Sequence, residues 1–241
     1  LSGAPITDMF GENTAAALSC SSSVADVIAA VADDASFIEL QKGFGENTVA
    51  GLAQVSGATV GLVGYEKEID ADSCAKAARF VRMCDAFAIP VVSVVNATRF
   101  ASVREAAKLS NAYSEATCAK VAVITGSAYG AVYIAVAGRG ANADVSLAWP
   151  CAVVSPLAPE TGAMFAWNDR LAGSENPVED RKKLIKEYAE TECTPFKAAA
   201  DGFIEDIIEP SETRGKVVAN LDMLTGKRVS RLPKKHANIQ L

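Results

Sequence analysis

Three short runs of apolar residues constrain this chain more than any other feature: Val91–Val95 (VVSVV), Val121–Thr125 (VAVIT) and Val145–Ala148 (VSLA). A strand with one wet face alternates apolar and polar residues. A strand that is apolar throughout needs cover on both faces, as in parallel sheets flanked by helices. The intervening stretches carry helical patterning. From Asp70 onward, Ala77, Phe80, Val81, Cys84 and Phe87 recur at three- and four-residue spacing, with Asp70 or Asp72 as the cap. Ile89-Pro90 stops this helix, because proline pushes the preceding residue away from helical geometry. Ser102–Glu115 and Ala131–Ala137 read as further helices, and the alternation places the chain in the α/β class.

Upstream, Val24–Val31 reads as a short helix and Ser36–Leu40 as a strand. Thr48–Val55 and Ala58–Val63 form a hairpin-like pair about Ser56-Gly57. The word FGENT occurs at Phe10–Thr14 and again at Phe44–Thr48, with unlike flanks and no sustained period, so it marks no repeat architecture. Downstream, Met164–Leu171 and Val178–Glu190 read as helices, and Pro195–Asp201 leads into Phe203–Ile208. Thr213–Thr225 has Val217, Val218, Leu221 and Leu224 on one side. Gly173–Pro177 is the best candidate boundary, read as a surface loop inside a single domain spanning residues 1–241, with 1–34 a looser lead-in.

A net charge of −6 argues against a general nucleic-acid binder. Basic residues gather near the end, at Lys227, Arg228, Arg231, Lys234 and Lys235, as a solvated terminus or as a contact for an anionic ligand or an acidic partner. The six cysteines show no C-x-x-C pair and there is one histidine, His236, so no metal site is expected. Scattered cysteines fit buried small hydrophobes in a reducing compartment. No apolar run approaches the roughly 20 residues needed to span a bilayer. No signal peptide opens the sequence, so cytoplasm is the expected compartment.

The chain has no Walker loop, no G-x-S-x-G elbow and no G-x-G-x-x-G after a strand. The most suggestive stretch is Val121–Ala137, VAVITGSAYGAVYIAVA: a buried strand, a small-residue loop from Gly126 to Gly130, and a helix from Ala131. The first turn of a helix leaves backbone N–H groups without intrahelical partners, at the positive end of the dipole. A substrate oxygen can approach such donors closely where side chains are small, as in an oxyanion hole. Gly126 and Gly130 equally suit a tight strand-to-helix turn with no ligand.

The same stretch resembles the KAYGGAY segment of the β-type acyl-CoA carboxylase carboxyltransferases of the crotonase superfamily. Phe37–Gly64 (FIELQKGFGENTVAGLAQVSGATVGLVG) is similar to the strand-rich entry to that family's C-terminal half. Asp70–Val95 (DADSCAKAARFVRMCDAFAIPVVSVV) resembles its D-A-S-x-K-A-A-R-F-V-R-x-C-D-A-F-x-I-P-L-V helix and strand. Ala148–Pro150 matches its A-W-P element, and Leu232–Leu241 (LPKKHANIQL) its L-P-K-K-H-G-N-I-P-L finish. The resemblance runs in order over residues 35–241.

The resemblance implies a crotonase-like (ClpP/crotonase) spiral of ββα units with a helical C-terminal region. It also implies transfer of a carboxyl group between carboxybiotin and the α-carbon of a short acyl-CoA. In that family the N-terminal half binds acyl-CoA, the C-terminal half accepts carboxybiotin, and the site forms between halves of different protomers. This chain resembles the second half. Ala131 and Val132 would be the backbone oxyanion donors, standing where the family has glycine and alanine, with Tyr129, Gly130 and Ile134 beside the biotin. Ile134 replaces an aspartate that tunes the acyl pocket in many members, and the bulk of Val132 is expected to narrow the site. Asn96–Phe100 (NATRF) replaces D-V-P-G-F and shortens one wall, where Arg99 either meets a substrate carboxylate or is simply exposed.

No Met-Lys-Met biotinylation word and no nucleotide loop occur. The implied partners are therefore a biotin carboxyl carrier, a biotin carboxylase and an acyl-CoA-binding half, in a homo-oligomer. Glu66, Glu68 and Asp70 form either a paired-carboxylate site or a capped acidic turn, and Trp149 and Trp167 either flank a ligand or pack the core. Three other readings stay open. One is the carboxyltransferase subunit of an acyl-CoA decarboxylase running in reverse. Another is a hydratase or isomerase, which would want a glutamate in the helix after Gly130, where none stands through Ala137. The third is a non-catalytic assembly half.

Overall fold

The computed structural model describes residues 17–139, 142–171 and 176–230. The FGENT copy at Phe10–Thr14, most of the Gly173–Pro177 boundary, Arg231, Lys234, Lys235, His236 and the Leu232–Leu241 finish lie outside the described residues.

The expected α/β alternation is present. Helix α1 (Val24–Val31) precedes a short strand β1 (Ile38–Glu39) and a hairpin of β2 (Thr48–Val55) and β3 (Ala58–Ile69). Then come α2 (Ala71–Ala86), β4 (Val91–Phe100), α3 (Val103–Glu115), β5 (Lys120–Tyr129), β6 (Val145–Ala148) and β7 (Val153–Ser155). The C-terminal region carries α4 (Pro159–Trp167), α5 (Pro177–Thr191), α6 (Pro195–Ala200), the short strand β8 (Asp206–Ile207) and α7 (Thr213–Met223).

The strands form one sheet in the order β1-β2-β3-β4-β5-β6-β8, with β7 added against β5. The β1-β2-β3 edge is antiparallel, and every pairing from β3 onward is parallel. Successive side chains point to opposite faces, which explains the continuous apolar runs. On one face Val91, Val95, Ala122 and Ile124 pack with Phe80 and Val81 of α2 and Leu109 of α3. On the other, Val92, Val94, Val121 and Val123 pack with Val27 and Ile28 of α1 and Val217 of α7.

Two features hold this frame. Asp70 caps α2 by accepting the Ser73 N–H, as its sequence position predicts. Asp33 accepts the Ser56 and Gly57 N–H groups of the hairpin turn and pairs with Arg214 of α7, so one carboxylate ties three elements. Burial pushes this carboxyl up, but hydrogen bonds from Gly57, Arg214 and Ser56 outweigh it and hold it below the usual value.

The cysteine expectation needs correction. Cys74, Cys84, Cys118 and Cys193 are buried thiols, but Cys20 and Cys151 are joined in a disulfide across 131 residues. Tertiary folding brings the segment before α1 to the β6–β7 loop, and no spacing rule reveals that. Among the described residues, no helix is long and apolar enough to cross a membrane.

Candidate active site at the β5–helix turn

The loop expected from Gly126 to Gly130 is mostly strand, which is a second correction. β6 follows β5 only along Val121–Ile124, and β7 takes over at Ser127–Tyr129. Between β4 and β5 the register jumps: Val95 faces Ile124, yet Ala97 faces Ala128. Asn96 fills the gap, its Oδ1 accepting the Ser127 N–H at 3.0 Å. Gly126 lies so close to this side chain that no Cβ fits there.

Tyr129 ends the strand half-buried. Burial, and then the charge of Glu160, push its phenol up. Gly130 turns the chain with φ +56, a conformation that favours glycine, and its N–H donates to Ser155 O of β7 at 3.1 Å. Ala131 and Val132 start the helical segment, which closes with Ile134 N–H to Gly130 O and continues as a π-turn over Tyr133–Ala137. Among the described residues, neither the Ala131 nor the Val132 N–H has a hydrogen-bond partner, as first-turn geometry dictates. The five residues singled out from the sequence, Tyr129, Gly130, Ala131, Val132 and Ile134, thus lie in one turn at the end of β5.

Ala131 is exposed, whereas the Val132 side chain is fully buried in the core. The expectation that Val132 narrows the site is therefore wrong: its bulk points inward and only its amide belongs to the turn's donor set. Ile134 is 64% exposed and lines an open cleft of about 290 Å³ with Tyr133, Gly138, Arg139, Gly202 and Phe203. Arg139 is occupied there by Glu205 at 2.6 Å and Gly202 O at 2.9 Å, and Tyr133 donates to Phe203 O at 2.5 Å. The cleft is a largely apolar hollow with its one cation already paired.

The remaining candidates sort by their neighbours. Arg99 pairs with Glu68 at 2.7 Å on an exposed surface, and Asp70 is a cap, so Glu66, Glu68 and Asp70 make no paired-carboxylate site. Trp149 is buried and donates to Thr213 Oγ1 at 2.9 Å. Trp167 meets the Tyr188 ring edge-on at 5.0 Å and lies under Arg170. Lys227 of the basic tail binds Cys118 O and Asp144, both at 2.8 Å, so it is part of the fold.

The sequence pattern that defines the carboxyl transferase domain matches residues 19–239. The chain belongs to that family. It is 38% identical over 90% of its length to the propionyl-CoA carboxylase carboxyltransferase subunit of Haloferax mediterranei, covering 45% of that protein. It is 34% identical to the methylmalonyl-CoA decarboxylase subunit alpha of Propionigenium modestum, over 90% of this chain and 44% of that one. Transcarboxylase 12S, solved as a hexamer with methylmalonyl-coenzyme A and methylmalonic acid bound, superimposes with a TM-score of 0.85 at 33% identity, covering 93% of this chain and 47% of that chain. The fold is thus the crotonase-like one, and the chain spans less than half of the relatives it matches.

Sequence reading of this carboxyl transferase domain missed its polar supports. Asn96 left a weak signal, a polar residue ending the run VVSVVN. Asn142 and Ser146 left none, since they follow no period. Asn142 donates from Nδ2 to Ile134 O and Ala135 O, and Ser146 Oγ donates to Ala137 O at 2.6 Å.

Proposed function

We propose that residues 1–241 form one carboxyltransferase C-terminal domain, the carboxybiotin side of an acyl-CoA carboxyltransferase site. A carboxyl group passes between carboxybiotin, carried on another chain, and the α-carbon of a short acyl-CoA held by an acyl-CoA-binding half. The observation that carries this reading is the pair of unpartnered amides at Ala131 and Val132 in a member of this family.

The chemistry needs little else. When bound, carboxybiotin would supply the carboxyl group as CO2 and its freed ureido nitrogen would take the α-proton of the acyl-CoA, so that negative charge develops in turn on the ureido oxygen and on the thioester oxygen. Fixed N–H donors stabilise such charge without reorganising, and here they sit at the positive end of a helical turn. Biotin supplies the carboxyl group when bound, while Ala131 and Val132 hold the oxyanion and Gly130 and Tyr129 form the approach. Ile134 presents an apolar side chain where a substrate chain would lie. A biotin carboxyl carrier and a biotin carboxylase complete the system, in a homo-oligomer. The relative named as a decarboxylase subunit supports one variant, the same site run from acyl-CoA to biotin.

The test is reverse transfer. Malonyl- or methylmalonyl-CoA is offered with free biotin to the chain alone and to the chain with its acyl-CoA-binding half, and biotin-dependent loss of the carboxyl group is followed. Turnover is expected only with both halves. Val132 has φ −65, the value proline adopts, so Val132→Pro deletes the N–H and is expected to lower kcat by about 10²–10³. A folded Val132→Pro or Ala131→Pro variant working at full rate would overturn the oxyanion assignment.

A further inference from the structure

We infer that Asn142 is a positioning residue for the proposed oxyanion turn, clamping the π-turn that directly follows the Ala131 and Val132 amides. The inference rests on that functional reading and extends it to a residue outside the turn.

A π-turn shifts backbone bonds from i−4 to i−5, so it leaves carbonyls that an α-helix would have engaged. In Tyr133–Ala137 the Ile134, Ala135 and Ala137 carbonyls are taken up from outside. Asn142 is 2% exposed, and its Nδ2 donates to Ile134 O and, at 2.9 Å, to Ala135 O. The Asn142 and Ala143 N–H groups both donate to Gly138 O, at 3.2 and 2.9 Å. Ser146 Oγ reaches Ala137 O at 2.6 Å. Both side-chain partners of Asn142 are carbonyls, so the amide must face them with its nitrogen, and its Oδ1 is left buried without a partner among the described residues. A buried polar atom left unpaired is costly, and here the amide accepts that cost while holding the turn.

The connection to the amides is one turn long. Ile134 donates its N–H to Gly130 O and gives its carbonyl to Asn142, so a single residue joins the start of the turn to the clamp. The register of this helical segment sets where the Ala131 and Val132 N–H bonds point. Small misplacements of such groups cost catalysis steeply.

Two variants test it. Asn142→Asp keeps the size but turns a carboxylate toward two carbonyls, and Asn142→Ala removes the donor without adding charge. With both halves present, each is expected to lower kcat about tenfold to a hundredfold while KM for acyl-CoA stays within about twofold. In the chain alone, amide hydrogen exchange in residues 131–137 is expected to accelerate in Asn142→Ala, with the protection of β4 and β5 retained. If the wild-type pair turns over and folded Asn142→Ala keeps its kcat, or if exchange in 131–137 is unchanged, the inference is overturned and the functional reading stands. If the wild-type pair shows no turnover, the functional reading falls and takes the catalytic role of Asn142 with it.

Discussion

The Asn96 side chain fills the space that any side chain at residue 126 would need: a Cβ built on Gly126 would lie 2.2 Å from Asn96 Oδ1. The two residues together make the register jump between β4 and β5 that carries the chain to Tyr129 and Gly130. Gly126→Ala is expected to destabilise by about 1–3 kcal/mol, the usual cost of overpacking. Asn96→Ala/Gly126→Ala is expected to lose less than the sum of the single changes, because removing the Asn96 side chain makes room. Urea denaturation of the four proteins in this cycle measures the coupling, and strict additivity would contradict the packing account.

Thr213 Oγ1 accepts from Trp149 Nε1 at 2.9 Å and donates to Pro210 O at 2.8 Å, with both side chains buried. Thr213→Val keeps the shape but leaves a buried indole N–H unsatisfied, which costs about 1–3 kcal/mol. Thr213→Ser is expected to retain most of the stability. Equal unfolding midpoints for the two variants would refute the role given to the hydroxyl.

Asp33 predicts an acid limb to stability. Its folded carboxyl lies below its ordinary value, because hydrogen bonds from Gly57, Arg214 and Ser56 outweigh the burial that pushes it up. A depressed carboxyl stabilises fully above the unfolded value of about 3.9, and that stability is lost as pH falls through the folded value. The stability gap between wild type and Asp33→Asn is therefore expected to be largest near neutral pH and to shrink below about pH 4. A gap that widens on acidification would reverse the assignment.

The buried thiols predict a labelling pattern. Burial first, and then nearby negative charge, raise Cys74 and Cys84 to about 12; burial chiefly raises Cys118, to about 11. Thiolate is the reactive form, so at pH 8 these residues are expected to resist iodoacetamide in the folded chain and to label once it is unfolded. Mild reduction is expected to add rapid labelling at Cys20 and Cys151, which are exposed. Mass spectrometry of the labelled peptides reads both, and fast labelling of Cys84 without denaturant would contradict its burial.

The sequence by itself determined the layers of this protein and the place of its turn. Val91–Val95 and Val121–Thr125 are apolar on both faces, and only a sheet covered by helices on each side removes them from water; α1, α2, α3 and α7 supply that cover. Asp70 as a cap and Ser56-Gly57 as a hairpin turn were legible because capping and turn chemistry act within a few residues. Gly130 and the small residues about it marked where a strand hands over to a helix. Only tertiary structure decided what depends on residues distant in sequence. The exchange of β6 for β7 along β5 turned an expected loop into strand, since edge pairing leaves no local pattern. The inward aim of Val132 followed from which side of the turn faces the core, and the Cys20–Cys151 pairing and the Asn142 clamp followed from where the chain returns. Local propensity is written in neighbouring residues; these contacts are set by how packed elements meet.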